Sequence, residues 1–269
     1  MLLTDARDEF LFDCECKHLA KGTIRNYKAE TRFLVEFLEL KQVTEVEEVK
    51  AHHIRDFMKQ KQDAGSSACY VNDILKVCKT WFHYLVDEDY IEERRNPAAK
   101  VKNVRQPKTI IETFSIQEMK SLIHFYSGSD YLDVRNKTII TLLFDTGMRC
   151  NEMIQMVEED IKRDYIVVKH GKGNKEREVY FNARTKIHLK KYLEQRTDTN
   201  PALFVSLHEP HTRLTISGVE VRLRQLGKRV NLNKVHPHKF RRTLATMAID
   251  KGMPIEQVQK MLGHVKIDT

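Results

Sequence analysis

The 269-residue sequence lacks the features of a membrane or secreted protein. Its apolar runs fall short of the ~18–20 residues that cross a bilayer. The opening residues, MLLTDARDEF, reach acidic side chains at once instead of a basic stretch and an apolar one, which argues against a signal peptide. The five cysteines are odd in number and irregularly spaced, so we expect a cytoplasmic protein without a disulfide framework. Ten glycines and six prolines are too few for a collagen-like or low-complexity chain.

Basic side chains outnumber acidic ones in only one part of the chain. Residues 1–110 carry 19 of each, so the whole net charge of +8 arises after residue 110. A basic excess confined to one part indicates a polyanionic partner, most often nucleic acid. A metal- or ATP-dependent nuclease is disfavoured, because the sequence shows neither an acidic cluster nor the P-loop order of glycines and lysine.

Apolar residues recur at helical spacing through the first hundred residues. They predict a short helix around Phe10 and Leu11, a second with Thr23 as its N-cap, a third over residues 49–62 and a fourth over residues 68–86. No strand-like alternation interrupts them. The sequence therefore predicts a helical bundle over residues 1–96.

A proline-containing basic stretch follows and is predicted to be a linker over residues 97–112. Its cations could lie along a DNA backbone, or the stretch could be a solvated flexible connection; the sequence leaves both open. The cations are Lys100, Lys102, Arg105 and Lys108.

Residues 113–269 are predicted to form a second, α-rich domain with a small antiparallel sheet. Ser115 and Glu118 form a capping box that begins a helix. Two β-rich segments, 160–169 and 176–181, flank a Gly-Lys loop and predict a hairpin. Further helices are expected at 134–144, 183–196, 215–230, 237–251 and 254–262, the last with Pro254 at its first position.

Two segments of this domain place cations at glycine turns. Gly147 can end an apolar helix and deliver Arg149, whose planar fork suits phosphate, while Glu152 can bond back to the arginine. Lys172 and Lys175 lie in the predicted hairpin loop. Each segment alone has an ordinary alternative: a surface ion pair for Arg149, and a solvated turn for the lysines.

Two later segments carry histidines. His238 and Arg241 are three residues apart near the beginning of a predicted helix, so they share a face and can handle an anion. A metal site is less favoured there, because His236 and His238 lack a third ligand at helical spacing. His264 follows Gly263 at the end of the last helix and alone would be an ordinary surface or core residue.

Together these segments resemble the catalytic domain of the tyrosine recombinase (phage integrase) family. TGMRCNE matches the family's first arginine box, GKGNKER its hairpin lysine, HKFRR its His-x-x-Arg box and LGH its last histidine box, in the family's order. TIRNYKAETRFLVEFL and NPAAKV resemble its core-binding domain and linker. The resemblance therefore extends over nearly the whole chain.

The resemblance implies a site-specific recombinase that cuts and rejoins duplex DNA through a 3′-phosphotyrosyl intermediate, without a cofactor. Such an enzyme would be an integrase or transposase of a mobile element, or Xer-like, and would assemble as a tetramer on paired DNA sites. The nucleophilic tyrosine is expected about nine positions after His264, beyond Thr269. A non-catalytic DNA-binding or regulatory protein on the same scaffold is the alternative.

The resemblance also implies roles for individual residues. Arg149 and Arg241 would clamp the phosphate oxygens, and Lys172, or else Lys175, would protonate the leaving 5′-oxygen. His238 would exchange a proton with the tyrosine, and His264 would bond the phosphate or orient the tyrosine. Contacts to the DNA backbone are expected from Lys100, Lys102, Arg105, Lys108, Lys175 and Arg242.

Overall fold

The computed structural model describes residues 1–107, 111–169 and 176–263. The chain divides into two compact units, with the boundary between residues 109 and 110. Eleven α-helices and one two-stranded sheet make up these ranges, so the predicted mainly α fold is confirmed. None of the helices described is long and apolar enough to span a membrane.

The first unit is a bundle of four α-helices around a fully buried Trp81. The helices are α1 (Leu3–Cys16), α2 (Lys21–Glu39), α3 (Ala51–Asp63) and α4 (Ala68–Asp87). The Trp81 indole nitrogen donates to the carbonyl of Ala6 at 3.3 Å, which joins α4 to α1. Ser67 caps α4 by accepting from the amide of Tyr70 at 3.2 Å.

The prediction of Thr23 as the N-cap of α2 is wrong. The helix begins at Lys21, and Ala20, which has no capping side chain, occupies the N-cap position. Thr23 already lies in the first turn, where its amide donates to the Ala20 carbonyl at 2.8 Å. A cap contributes only about 1 kcal/mol, so burial of the apolar face of α2 outweighs its absence.

The segment predicted as a linker packs on the first unit through Val104. Ala98 and Val101 are buried in the unit's core. Asn72 of α4 brackets Val104, donating to its carbonyl at 3.0 Å and accepting from its amide at 2.8 Å. This part of the segment is therefore docked instead of solvated. Its candidate DNA-contacting cations Lys100, Lys102 and Arg105 are exposed, and Lys108 lies outside the described residues.

The second unit surrounds α6, a helix that is buried along most of its length. Its helices are α5 (Ile116–Phe125), α6 (Tyr131–Thr146), α7 (Cys150–Gln155), α8 (Ala183–Glu194), α9 (Ile216–Arg229), α10 (Pro237–Asp250) and α11 (Ile255–Leu262). The predicted capping box begins α5: the Ser115 amide donates to Glu118 at 2.7 Å, and the Glu118 amide donates to the Ser115 hydroxyl at 3.2 Å. Pro254 is the N-cap of α11, one position before the predicted one.

The predicted hairpin is present, with a shorter first strand. Strand β1 (Tyr165–Val168) pairs antiparallel with β2 (Arg177–Tyr180), and Tyr165 lies opposite Tyr180. The expected extension of β1 back to Asp160 is wrong, because Glu158–Asp160 forms a 3-10 turn. The carboxylate of Asp160 accepts from the amide of Val157 at 3.0 Å, and this local bond holds the turn against an extended strand.

Candidate active site

The site begins at the turn where α6 ends. Gly147 has φ +58° and ψ 17°, the left-handed geometry expected of a helix-ending glycine, and its amide donates to the Leu143 carbonyl at 3.1 Å. Two residues later, Arg149 is the N-cap of α7. Its side chain is 26% exposed and therefore stays accessible from solvent.

Replacing Gly147 with alanine is expected to destabilise the second unit by about 2–4 kcal/mol, from left-handed strain and overpacking together. A Cβ here would lie 2.7 Å from Leu262 Cδ2 and 2.8 Å from Leu244 Cδ2. Gly252→Ala is the matched control, because Gly252 has φ +86° but open space around it. Urea unfolding measures the loss of unfolding free energy in both variants. Equal losses would show that the side-chain clash at Gly147 contributes nothing.

A buried carboxylate organises the arginines. Glu152 is 4% exposed and accepts from the Arg149 amide at 2.8 Å and the Arg149 guanidinium at 2.9 Å. Arg177, the first residue of β2, donates its fork to both carboxylate oxygens at 3.0 and 2.7 Å. Burial alone would raise the pKa of Glu152, but the bonds from Arg177 and Arg149 outweigh it and lower the pKa. Glu152 is therefore a buried anion between two cations.

A third guanidinium comes from α10. Arg241 is 7% exposed and donates to the carbonyls of Gly147 and Leu262 at 2.7 and 2.6 Å. Burial, together with the positive charges of Arg149 and Arg177, lowers the pKa of Arg241 to about 10, so it stays protonated at neutral pH. Among the described residues, these three guanidiniums and the carboxylate of Glu152 leave an excess of positive charge that an anion would neutralise.

His238 lies one turn before Arg241 on α10, and its side chain is exposed. Desolvation and the charges of Arg241, Arg242 and Arg149 lower the pKa of His238 from its ordinary 6.5. The imidazole is therefore mostly neutral at pH 7 and able to accept a proton. Arg242, the next candidate for a DNA contact, is exposed. Across the described ranges, no three His, Cys, Asp or Glu side chains lie close enough together to hold a metal ion.

The predicted catalytic residues Lys172 and His264, and Lys175 as the alternative to Lys172, lie outside the described residues. Gly263, which precedes His264, ends α11 in the left-handed region at φ +67°, as expected. Gly147 links two of the predicted residues, because its carbonyl accepts from Arg241 at 2.7 Å and Arg149 follows it by two residues in the chain. His238 lies one turn before Arg241 on α10, and the positive charges of Arg241 and Arg149 help to lower its pKa.

Sequence reasoning assigned no role to Arg177. The signal that could have found it is the alternation of β2, in which Arg177 shares a face with the buried Val179. A cation on the inward face of a strand calls for a buried anion, and Glu152 is that anion.

The sequence profile of the phage integrase family matches residues 112–269, which contain the whole arginine cluster. The chain belongs to the phage integrase family. A second profile, the phage integrase N-terminal SAM-like domain, matches residues 7–92. The family therefore accounts for both units.

Relatives in this family are similar over most of their length. The chain is 30% identical to the tyrosine recombinase XerC of Leptospira interrogans, covering 94% of this chain and 82% of that protein. It is 29% identical to the tyrosine recombinase XerA of Pyrococcus furiosus, covering 100% and 88%. A crystal structure of a lambda integrase tetramer bound to a Holliday junction shares the fold, with a TM-score of 0.80 at 17% identity over 100% of this chain and 79% of that one.

Proposed function

We propose that this phage integrase family protein is a site-specific DNA recombinase that cuts and rejoins duplex DNA through a 3′-phosphotyrosyl intermediate. The observation that carries the proposal is the pair of Arg149 and Arg177 bonded to the buried carboxylate of Glu152, with the buried positive charge of Arg241 close by. Its excess positive charge, held by fixed bonds, suits a phosphate that gains negative charge during transfer.

Within this proposal, Arg149 and Arg241 hold the non-bridging phosphate oxygens. The two backbone carbonyls that fix Arg241 and the carboxylate that fixes Arg149 preorganise both forks before DNA arrives. His238, whose lowered pKa keeps it mostly neutral, takes the proton of the attacking tyrosine. Lys172, with Lys175 as the alternative, protonates the leaving 5′-oxygen, and His264 orients the tyrosine or the phosphate.

The partner is duplex DNA, and the working assembly is a tetramer on paired sites. The lambda integrase tetramer on a Holliday junction supports the assembly by similarity of fold. Exposed Lys100, Lys102, Arg105 and Arg242 supply contacts to the DNA backbone, together with Lys108 and Lys175. We place the protein in the cytoplasm, where cysteines such as the five unpaired ones here stay reduced. Its role is that of a mobile-element integrase or transposase, or of an Xer-like recombinase.

Binding to DNA is expected to be strong at low salt and to weaken steeply as salt rises, because phosphate contacts release counterions. With about six phosphates neutralised, log K against log[salt] should have a slope of about −5. Fluorescence anisotropy with a 40-base-pair duplex of random sequence measures it. A double Lys100→Gln/Lys102→Gln variant should flatten the slope by about two, whereas a slope near zero for the wild type would refute the DNA partner.

A further inference from the structure

We propose that Arg177 is a positioning residue for strand cleavage. It acts through Glu152 to hold Arg149 in the orientation that binds the phosphate. This inference rests on the proposed function and adds to it a residue that the four sequence motifs did not single out. Arg177 is not expected to touch the DNA itself. Its effect on catalysis passes through the carboxylate that the two arginines share.

The first reason is that each oxygen of Glu152 serves both arginines. Oε1 accepts from the guanidinium of Arg149 at 2.9 Å and from that of Arg177 at 3.0 Å. Oε2 accepts from the Arg149 amide at 2.8 Å and from Arg177 at 2.7 Å. A carboxylate has about four acceptor positions, so these bonds use its capacity and fix its plane. The plane of Glu152 in turn fixes the Arg149 guanidinium.

The second reason is charge. A buried Glu152 with Arg149 as its only partner would bind that arginine as a closed ion pair and compete with phosphate for it. The two-pronged bond from Arg177 supplies a second positive charge to the same carboxylate. Arg149 therefore keeps attraction for an external anion, and its side chain remains 26% exposed to receive one.

The third reason is that the side chain of Arg177 is less exposed to solvent than that of Arg149. The Arg177 side chain is 14% exposed, and Gly263 lies against it: a Cβ at Gly263 would come within 2.8 Å of Arg177 Cδ. Arg177 also begins the strand that starts two residues after Lys175, the last residue of the Gly-Lys segment. One side chain thus connects β2, the Arg149 turn and the Gly263 turn.

The test compares cleavage of two DNA substrates by the chain continued through its expected tyrosine. One substrate has an ordinary scissile phosphate, and the other has a methylphosphonate there, which lacks one negatively charged oxygen and needs less help from Arg149. On the ordinary phosphate, we expect Arg177→Met to be 10- to 100-fold slower than wild type and Arg177→Lys 5- to 20-fold slower. DNA binding should stay within about three-fold. On the methylphosphonate, the deficit should shrink at least five-fold, in parallel with that of Arg149→Met.

Arg163→Met is the matched control, because Arg163 is 90% exposed and lies 3.9 Å from the carboxylate of Asp164 at the surface; it should cut both substrates at the wild-type rate. Arg177→Lys keeps the positive charge and decides the outcome if Arg177→Met does not fold. Equal deficits on the two substrates, or an Arg177→Lys rate within two-fold of wild type, would overturn the inference. Failure of the wild type to cut either substrate would instead overturn the proposed function.

Discussion

Replacing Arg241 with lysine is expected to slow strand cleavage at least 100-fold while leaving DNA affinity within a few-fold. Arg241 uses two of its N–H groups to donate to the carbonyls of Gly147 and Leu262, and these bonds fix the orientation of the remaining N–H groups. A lysine ammonium keeps the charge but cannot bond both carbonyls and a phosphate in one plane. Loss of one fixed transition-state donor costs about 3 kcal/mol, or 10²-fold or more in rate.

Arg242→Lys is the matched control for that variant, because Arg242 is the next residue of α10 but exposed. It should change affinity slightly and leave the cleavage rate of bound DNA unchanged. Single-turnover cleavage at saturating protein separates the two effects. If Arg241→Lys loses affinity in proportion to its rate, Arg241 is a binding residue, and the account of its fork is wrong.

Replacing Glu152 with alanine is expected to destabilise the second unit by about 3–5 kcal/mol. The change leaves the guanidiniums of Arg149 and Arg177 without the carboxylate that both bind, close to the buried positive charge of Arg241. Urea unfolding at pH 7 measures the loss. Glu194→Ala is the control, because Glu194 is 59% exposed in a surface pair and should cost less than 1 kcal/mol. A loss below 1 kcal/mol for Glu152→Ala would contradict the buried ion cluster.

Because the pKa of Glu152 is lowered, we expect the free energy of unfolding to depend on pH. The folded-state pKa of Glu152 is lowered from its ordinary 4.5, so the stability it contributes is present above that value. That contribution should be lost as the pH falls below 4.5 through the folded pKa. The difference in stability between wild type and Glu152→Gln should therefore narrow in acid.

Much of this fold could be predicted because its signals are local. The capping box of Ser115 and Glu118, the helix-ending geometry of Gly147 and the three-residue spacing of His238 and Arg241 each involve neighbours in sequence. Local bonds of this kind form wherever the helix forms. They therefore placed Gly147 correctly at the end of α6 and Arg241 near the beginning of α10.

Other features depend on contacts that the sequence does not bring together. The bond between Glu152 and Arg177 joins residues 25 apart on a helix and a strand, and only the packing of the hairpin makes it. The docking of Ala98 and Val101 had a readable signal, since apolar residues there recur every three positions through Val104. The prolines and cations of that stretch instead favoured the prediction of an extended linker, so the apolar recurrence was not used.

The most direct test of a DNA-cutting arginine pocket is covalent capture of DNA. The chain continued through its expected tyrosine is incubated with a library of nicked random-sequence duplexes in EDTA, and protein bound to DNA after denaturation is collected. We predict an adduct joined through the 3′-phosphate, which is absent when phenylalanine replaces that tyrosine and reduced at least 100-fold in Arg241→Lys. Duplex binding without any adduct in the wild type would contradict the claim and favour a non-catalytic DNA-binding protein on this scaffold.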